Sequence, residues 1–318
     1  PVTGSYAKYE NVSARIRDIM KKYTDRLEMF SIDEAFLDLT DAVEAPEAAV
    51  SAANDIKSRI RSTLGLSCSI GIAPNKLLAK LASEMEKPDG LVKITMRDIP
   101  TLYENLPVEK FCGIGSKTKK KLAMIGIKTA KQLGEADIGI LNNYFGFLGY
   151  SLKNIGLGID NSEVGFYYES GPQKSFGHSY TMQKDTSDER VLKNCLFWLA
   201  EKVGRRMRKA GCEGFIIHFY MRYADFTGVS KQSALKTGIS GGYDIYQGAL
   251  KIMRYFMPFK KPVRLVGVSV GCIKPGPSQM FLLDGERKYQ ACQAVADSIN
   301  DFYGEDCLKP LFILRRPE

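Results

Sequence analysis

The sequence predicts a multidomain protein of mixed α/β and α+β class, and three observations predict it. Through about residue 106, amphipathic helical segments alternate with short β-prone runs, the pattern of an α/β layer. At Pro107 the texture changes to lysine-rich helical sequence punctuated by glycine. Beyond a polar stretch at 161–173, strand and helix patterns follow in the order βαββαβ, which gives a four-stranded sheet with two helices on one face. The chain has 318 residues, ample for two or three domains with sizeable cores. The expected division is 1–106, 107–160, a linker at 161–173, 174–275 and a tail at 276–318.

Residues 5–22 carry Val12, Ile16, Ile19 and Met20 on one helical face. A strand-turn-strand follows around Asp33. A second helix is expected at 46–64, with Val50, Ile56, Ile60 and Leu64 inward. Leu66 to Ile72 reads as a strand, and Pro74 suits the first turn of the next helix. Lys87-Pro88-Asp89-Gly90 breaks the chain. The segment from Phe111 through Gly113-Ile114-Gly115-Ser116-Lys117-Thr118 into Lys119-Lys120-Lys121-Leu122, then Gly126-Ile127, resembles a helix-hairpin-helix. Its glycines allow close backbone approach, the following helix amides can hold a phosphate, and the lysines attract a nucleic-acid backbone.

In the last third, strands are expected at 174–182, 213–223, 229–237 and 262–274, and helices at 186–210 and 243–257. Phe215, Ile217, Phe219 and Met221 alternate with Ile216, His218, Tyr220 and Arg222, so one face packs on helices and the other is free to lie on DNA. His178 and His218 read as groove-facing or surface residues rather than ligands. Arg205, Arg206, Arg208 and Lys209 end the first helix, where they suit either its dipole or a DNA contact. Residues 286–303 form a final amphipathic pattern, with Tyr289, Cys292, Val295, Ile299 and Phe302 expected to cover the core.

Composition narrows the function classes. Hydrophobic residues make up 44% and charged residues 25%, ordinary for a globular protein. No apolar run approaches a membrane span, and no signal peptide opens the chain. The seven cysteines are scattered without a CxxC pair, which reads as reduced, mostly buried thiols in a cytoplasmic protein. Net charge is +9 and unevenly placed: residues 1–173 hold 22 basic and 22 acidic side chains, residues 174–318 hold 23 and 14. A neutral portion followed by a basic one suits a polyanion bound mainly by the second part.

The most telling stretch is Ser31-Ile32-Asp33-Glu34-Ala35-Phe36-Leu37-Asp38. Two adjacent carboxylates interrupt a β-prone apolar run, where acids are depleted and costly without a partner. A divalent cation is such a partner, since Mg²⁺ takes one or two carboxylates plus substrate phosphates. Neighbouring side chains of a strand point oppositely, so the pair shares one cation only if the backbone turns there. A solvent-exposed acidic hairpin tip is the other reading of the same residues.

Together with Gly71-Ile72-Ala73-Pro74-Asn75-Lys76-Leu77-Leu78-Ala79-Lys80-Leu81-Ala82-Ser83 and Lys87-Pro88-Asp89-Gly90, this octapeptide resembles the palm of the Y-family translesion DNA polymerases of UmuC/DinB type. The similarity runs from about Tyr9 to at least Lys274. It implies a partial palm, a helix-hairpin-helix thumb and a little finger. It further implies template-directed DNA synthesis past damaged bases, with dNTP substrates, two Mg²⁺ ions and primer-template DNA. Asp33 would bridge both ions and Glu34 would serve the ion that activates the primer 3′-hydroxyl. Lys87 matches the position that contacts the incoming triphosphate; Lys76 is a candidate for substrate or template phosphates, and Lys80 reads as structural. DNA contacts are expected from Gly113, Gly115, Ser116, Lys117 and Lys119 in the thumb and from Ser175, Arg222 and Lys231 in the little finger.

The family also carries a third carboxylate on an N-terminal strand, in a segment like DxDxFFASVE, and no such segment occurs here; by the resemblance the first palm strand, the aromatic steric gate against ribonucleotides and most of the fingers are missing too. The expectation is a C-terminal portion of a polymerase that does not extend primers by itself. In the tail, Gln279-Met280-Phe281-Leu282-Leu283 resembles the QLxLF peptide by which bacterial polymerases dock to the β sliding clamp, with Gln279, Leu282 and Leu283 as the anchors. A monomer is expected. Three other readings compete. A non-catalytic DNA-binding or clamp-associated protein fits the missing carboxylate. A palm-type nucleotidyl cyclase also uses paired acids, but not a thumb-like hairpin or a basic βαββαβ domain. A helix-hairpin-helix glycosylase lacks a suitable Asp after the hairpin.

Overall fold

Helix α1 (Tyr6–Met20) forms where Ile16, Ile19 and Met20 recur on one face, and α2 (Pro46–Leu64) where Ile56 and Ile60 do. Both faces close on the hairpin of β1 (Leu27–Met29) and β2 (Ala35–Leu37), with Leu27 at the centre of that core. This architecture is seen in a computed structural model that describes residues 4–42, 46–168, 171, 173–276, 284–304 and 307–308. The chain divides into two units, Pro1–Ser170 and Gly171–Glu318.

In the first unit, β3 (Ile70–Ile72) and β4 (Leu91–Lys93) pair in parallel across α3 (Lys76–Met85). The sequence reading started β3 at Leu66; only its last residues pair. Pro74 does not enter the first turn of α3 either. Asn75 takes the N-cap, and its side chain accepts a hydrogen bond from the Leu78 amide at 2.9 Å, so the proline stands one residue outside. Leu78, Leu81 and Ala82 of α3 share a core with Tyr103, Phe111, Leu122, Leu133, Leu141 and Leu152. These come from α4 (Ile99–Glu104), the loop after it, and α5 (Ser116–Met124), α6 (Ala130–Glu135), α7 (Ile138–Phe145) and α8 (Leu148–Leu157). The change of texture at Pro107 therefore falls inside one continuous core.

The second unit is an antiparallel sheet in the order β5-β8-β6-β7, formed by Ser175–Thr186, Val263–Pro275, Cys212–Tyr223 and Gly228–Ile239. One face is covered by α9 (Glu189–Lys209) and α10 (Gly242–Met253). Ile217, Phe219 and Met221 are buried there with Leu192, Leu196, Leu199 and Val203, as the alternation requires. Burial pushes the thiol of Cys195, in this core, up to about 12. Four other cysteines, Cys112, Cys272, Cys292 and Cys307, are exposed, contrary to the expectation of mostly buried thiols.

Helix α11 (Asp284–Tyr303) corrects a further expectation. Cys292, Val295 and Phe302 of its apolar stripe are exposed rather than laid on the core. Its acidic side faces α9 instead. Asp297 takes Arg208 in a two-pronged pair, Nε to Oδ2 at 2.7 Å and Nη2 to Oδ1 at 2.9 Å, and Asp301 accepts from Arg205 at 2.6 Å. Arg206 donates to the Gly177 carbonyl at 3.0 Å and lies over the Phe176 ring. Three of the four cations at the end of α9 thus have specific partners. Among the described residues, no helix is long and apolar enough to cross a membrane.

Candidate metal centre and nucleic-acid interface

The acidic pair sits where the chain reverses between β1 and β2. The amides of Phe30 and Ser31 both donate to the Glu34 carbonyl, at 2.9 and 3.1 Å, and close the turn. This is the turn that the strand argument required. Asp33 is exposed, and its Oδ1 accepts the Ser31 hydroxyl at 2.6 Å. Glu34 is half-buried, and its Oε1 accepts from Lys80 Nζ at 2.8 Å. Each carboxylate keeps a second oxygen for another ligand. Among the described residues, no cluster of three or more His, Cys, Asp or Glu side chains could enclose a cation. Two carboxylate oxygens beside an open turn fit a hard cation whose remaining ligands are water and phosphate oxygens, which is how Mg²⁺ is commonly held.

Helix α3 presents its two lysines to this sheet. Lys76 does not stand free: its ammonium donates to Glu28 Oε2 at 2.7 Å and to the Glu163 carbonyl at 3.2 Å. Burial opposes ionisation of Glu28, but the bonds from Lys76 and the Gly165 amide outweigh it and hold its carboxyl below the usual range. Lys80, read as structural from the sequence, bridges Glu34 and Glu84, the second at 2.7 Å. Burial works against its charge, yet the two carboxylates win and raise the ammonium's pKa. Glu84 also accepts from Lys87 Nζ at 2.7 Å.

Lys87 opens the turn between α3 and β4, and sequence reasoning missed what fixes that turn. Lys57, on α2, donates to the carbonyls of Cys68 (2.8 Å), Asp89 (2.7 Å) and Gly90 (3.2 Å) and to Asp89 Oδ1 (2.8 Å). Arg61 adds a bond to Asp89 Oδ2 at 3.0 Å. Gly90 has no room for a side chain, because a Cβ there would lie 2.0 Å from the Glu86 carbonyl oxygen. The faint signal was Lys57 and Arg61 four apart on α2, a spacing that usually marks a solvated face.

A cleft of about 460 Å³ in this unit is lined by Phe30, Phe36, Lys76, Lys80, Cys112 and Asn154, among others. It brings the flanks of the acidic turn, the α3 lysines and the glycine hairpin to one place. In that hairpin Ile114 is buried between exposed Gly113 and Gly115. Gly113 has φ +94°, a region L side chains rarely adopt, and Gly115 is the N-cap of α5. Its side-chain-free cap leaves the first amides, of Ser116 and Lys117, open to an anion. Lys117 is exposed, whereas Lys119 is paired with Glu109 at 2.6 Å.

In the second unit, strand register sorts the candidates by face. On the open face, pairing aligns Ser175 with Gly271 and Ile216, Gly177 with Ser269 and His218, and Ser179 with Gly267 and Tyr220. Arg222 is exposed on this face opposite Leu265 and Gly228. Lys231 lies on the other face: it pairs with helix-facing Phe219, and its ammonium lies 3.3 Å from the centre of the Tyr255 ring. His178 also turns to the helix side, its ring 5.8 Å from that of Trp198. Gln279, Leu282 and Leu283 lie outside the described residues.

The profile of the impB/mucB/samB family matches residues 1–84, that of its C-terminal domain residues 173–281, and the HHH motif of the IMS family residues 97–127. Proteins named DNA polymerase IV are similar over most of the chain. The one from Pelotomaculum thermopropionicum is 34% identical over 301 residues, 94% of this chain and 75% of its own length. That from Bacillus anthracis is 34% identical over 310 residues, 96% of this chain and 74% of its own. A Y-family DNA polymerase chimera, Dbh-Dpo4(243-245)-Dbh, superposes with a TM-score of 0.72 at 26% identity, covering 86% of this chain and 78% of that one. The acidic turn, the glycine hairpin and the four-stranded C-terminal sheet are thus features of a member of the Y-family DNA polymerases, to which this chain belongs.

Proposed function

We propose that Asp33 and Glu34 hold the magnesium of template-directed DNA synthesis past damaged bases, and that Lys87 holds the triphosphate of the incoming dNTP. The observation that carries this reading is the pair of carboxylates at a hairpin tip, with Glu34 tied through Lys80 and Glu84 to Lys87. As a member of its family the chain is a DNA-directed DNA polymerase, and primer-template DNA is its binding partner. Metal ions, when bound, stabilise the attacking and leaving oxygens of an in-line displacement. The residues of this chain orient what reacts. Asp33 and Glu34 would hold the cations with one free oxygen each. Lys87 is half-exposed and has only to leave Glu84 to reach a phosphate. Lys76, bound to Glu28, orders the palm sheet against residues 160–165 more than it offers a free charge.

Gly113, Gly115, Ser116 and Lys117 would take duplex phosphates, and Ser175 and Arg222 would take them on the open sheet face. Phosphate contacts position a protein without reading sequence, so binding should be salt-dependent and nearly sequence-independent. Lys119 and Lys231 already have partners and would contribute less. The reading extends to a cytoplasmic monomer of the DNA-damage (SOS) response that docks to the β sliding clamp through Gln279, Leu282 and Leu283. Primer extension by residues 1–318 joined behind the N-terminal palm strand and fingers of a DNA polymerase IV tests the core of it. Asp33→Ala should abolish synthesis; undiminished synthesis refutes the metal assignment.

A further inference from the structure

Lys80 stands between the two functional ends of the palm. Its side chain is 17% exposed, and its ammonium touches Glu34 Oε1 at 2.8 Å and Glu84 Oε1 at 2.7 Å. Glu84 lies four residues on, one turn along the same face of α3. The same Glu84 oxygen accepts Lys87 at 2.7 Å. The charges therefore alternate in a chain of four: Glu34, Lys80, Glu84, Lys87. One end is a carboxylate at the acidic turn, and the other is the lysine of the turn that Lys57 pins.

From this we infer that Lys80 is a positioning residue, which holds Glu34 by one oxygen so that the other faces the cation and fixes its distance from the triphosphate lysine. The inference rests on the reading of Asp33 and Glu34 as metal ligands. Three features favour positioning over simple neutralisation. The ammonium is mostly removed from water, so its direction is set by packing rather than by solvent. It takes a single oxygen of Glu34 and leaves Oε2 unclaimed. Its second anchor comes from the rigid helix that also carries it, so the Glu34 carboxylate is held from a fixed point instead of from a mobile surface side chain.

The test uses the 318-residue chain with primer-template DNA and a non-hydrolysable triphosphate, and Mn²⁺ as a spectroscopic substitute for magnesium. Mn²⁺ affinity is read by electron paramagnetic resonance, and triphosphate affinity at saturating Mn²⁺ by fluorescence. Losing a group that orients a metal ligand typically costs about 10-fold or more in metal affinity. Lys80→Met should show a loss of about that size, with a much smaller change in triphosphate affinity, and Lys80→Arg should recover most of it. An unchanged or tighter Mn²⁺ affinity in Lys80→Met overturns the inference, tighter binding showing that the lysine merely competes with the cation. Asp33→Ala is the separating arm. If it too leaves Mn²⁺ affinity unchanged, the acidic turn is not the metal site; if it weakens binding while Lys80→Met does not, only the role of Lys80 falls. Should Lys80→Met fail to fold, Glu84→Gln removes the second anchor and carries the same test: weaker Mn²⁺ binding supports the inference, and unchanged binding overturns it.

Discussion

Replacing Lys57 with Met should loosen the turn that carries Lys87 and destabilise the first unit measurably. Lysine offers three N–H donors, and here they meet four acceptors within 3.2 Å. Those four bonds are not equally costly to lose. The Gly90 carbonyl also accepts from the Ile70 amide at 3.0 Å, so it stays satisfied. The Asp89 carboxylate is solvated and keeps Arg61. The carbonyls of Cys68 and Asp89 lose a charged donor. A hydrogen bond to a charged group is worth about 1.5–3 kcal/mol, and methionine, of similar length, regains some apolar contact and removes a half-buried charge. The net cost is about 2 kcal/mol, or about 5 °C of melting temperature for a unit of this size. Urea unfolding followed by circular dichroism reads the change as a lower midpoint at constant slope. Arg61→Ala, at an exposed pair, should barely move it. Equal midpoints for Lys57→Met and the parent chain would refute the reasoning and show that the turn is held by its own backbone geometry.

Further expectations concern DNA and pH. Lys117→Ala should weaken duplex binding and lower the slope of log K against log salt by about 0.9, while Lys119→Ala, already paired with Glu109, should change it less; fluorescence anisotropy across salt concentrations separates them. Gly113→Ala should cost about 1–2 kcal/mol of unfolding free energy, because its φ of +94° strains any L side chain. Burial raises the carboxyl pKa of Glu201, with Asp297 and Asp244 nearby adding to it and Arg208 opposing. A raised value means that the folded state holds the proton more tightly, so stability is lost as pH rises from the usual 4.5 through the folded value. Glu201→Gln should therefore melt higher than the parent at neutral pH, with the gap closing toward pH 4.5.

Much of this was legible because it is local. The helical faces of α1 and α2, the βαββαβ order and the buried alternation of Ile217, Phe219 and Met221 follow from period alone. The acidic turn was legible because two carboxylates in an apolar run have few explanations. What escaped depends on residues far apart in the chain. Lys57 acts on residues 11 to 33 positions away, and Lys80 on Glu34, 46 positions back. The helix-side place of Lys231 escaped for a related reason: a strand's faces are fixed by register, and one residue of shift exchanges them. The stripe of α11 was detected, but periodicity gives a face without saying whether it looks inward. Two arginine–aspartate pairs decided that instead.

Those two pairs have a consequence for how the basic half meets a polyanion. Aspartates of α11 act as built-in counterions for Arg205 and Arg208, so these two guanidinium groups meet carboxylates of their own chain before any phosphate backbone. Stripping the helix away would unmask two guanidinium groups at once and turn a measured, salt-tuned grip into a stickier one.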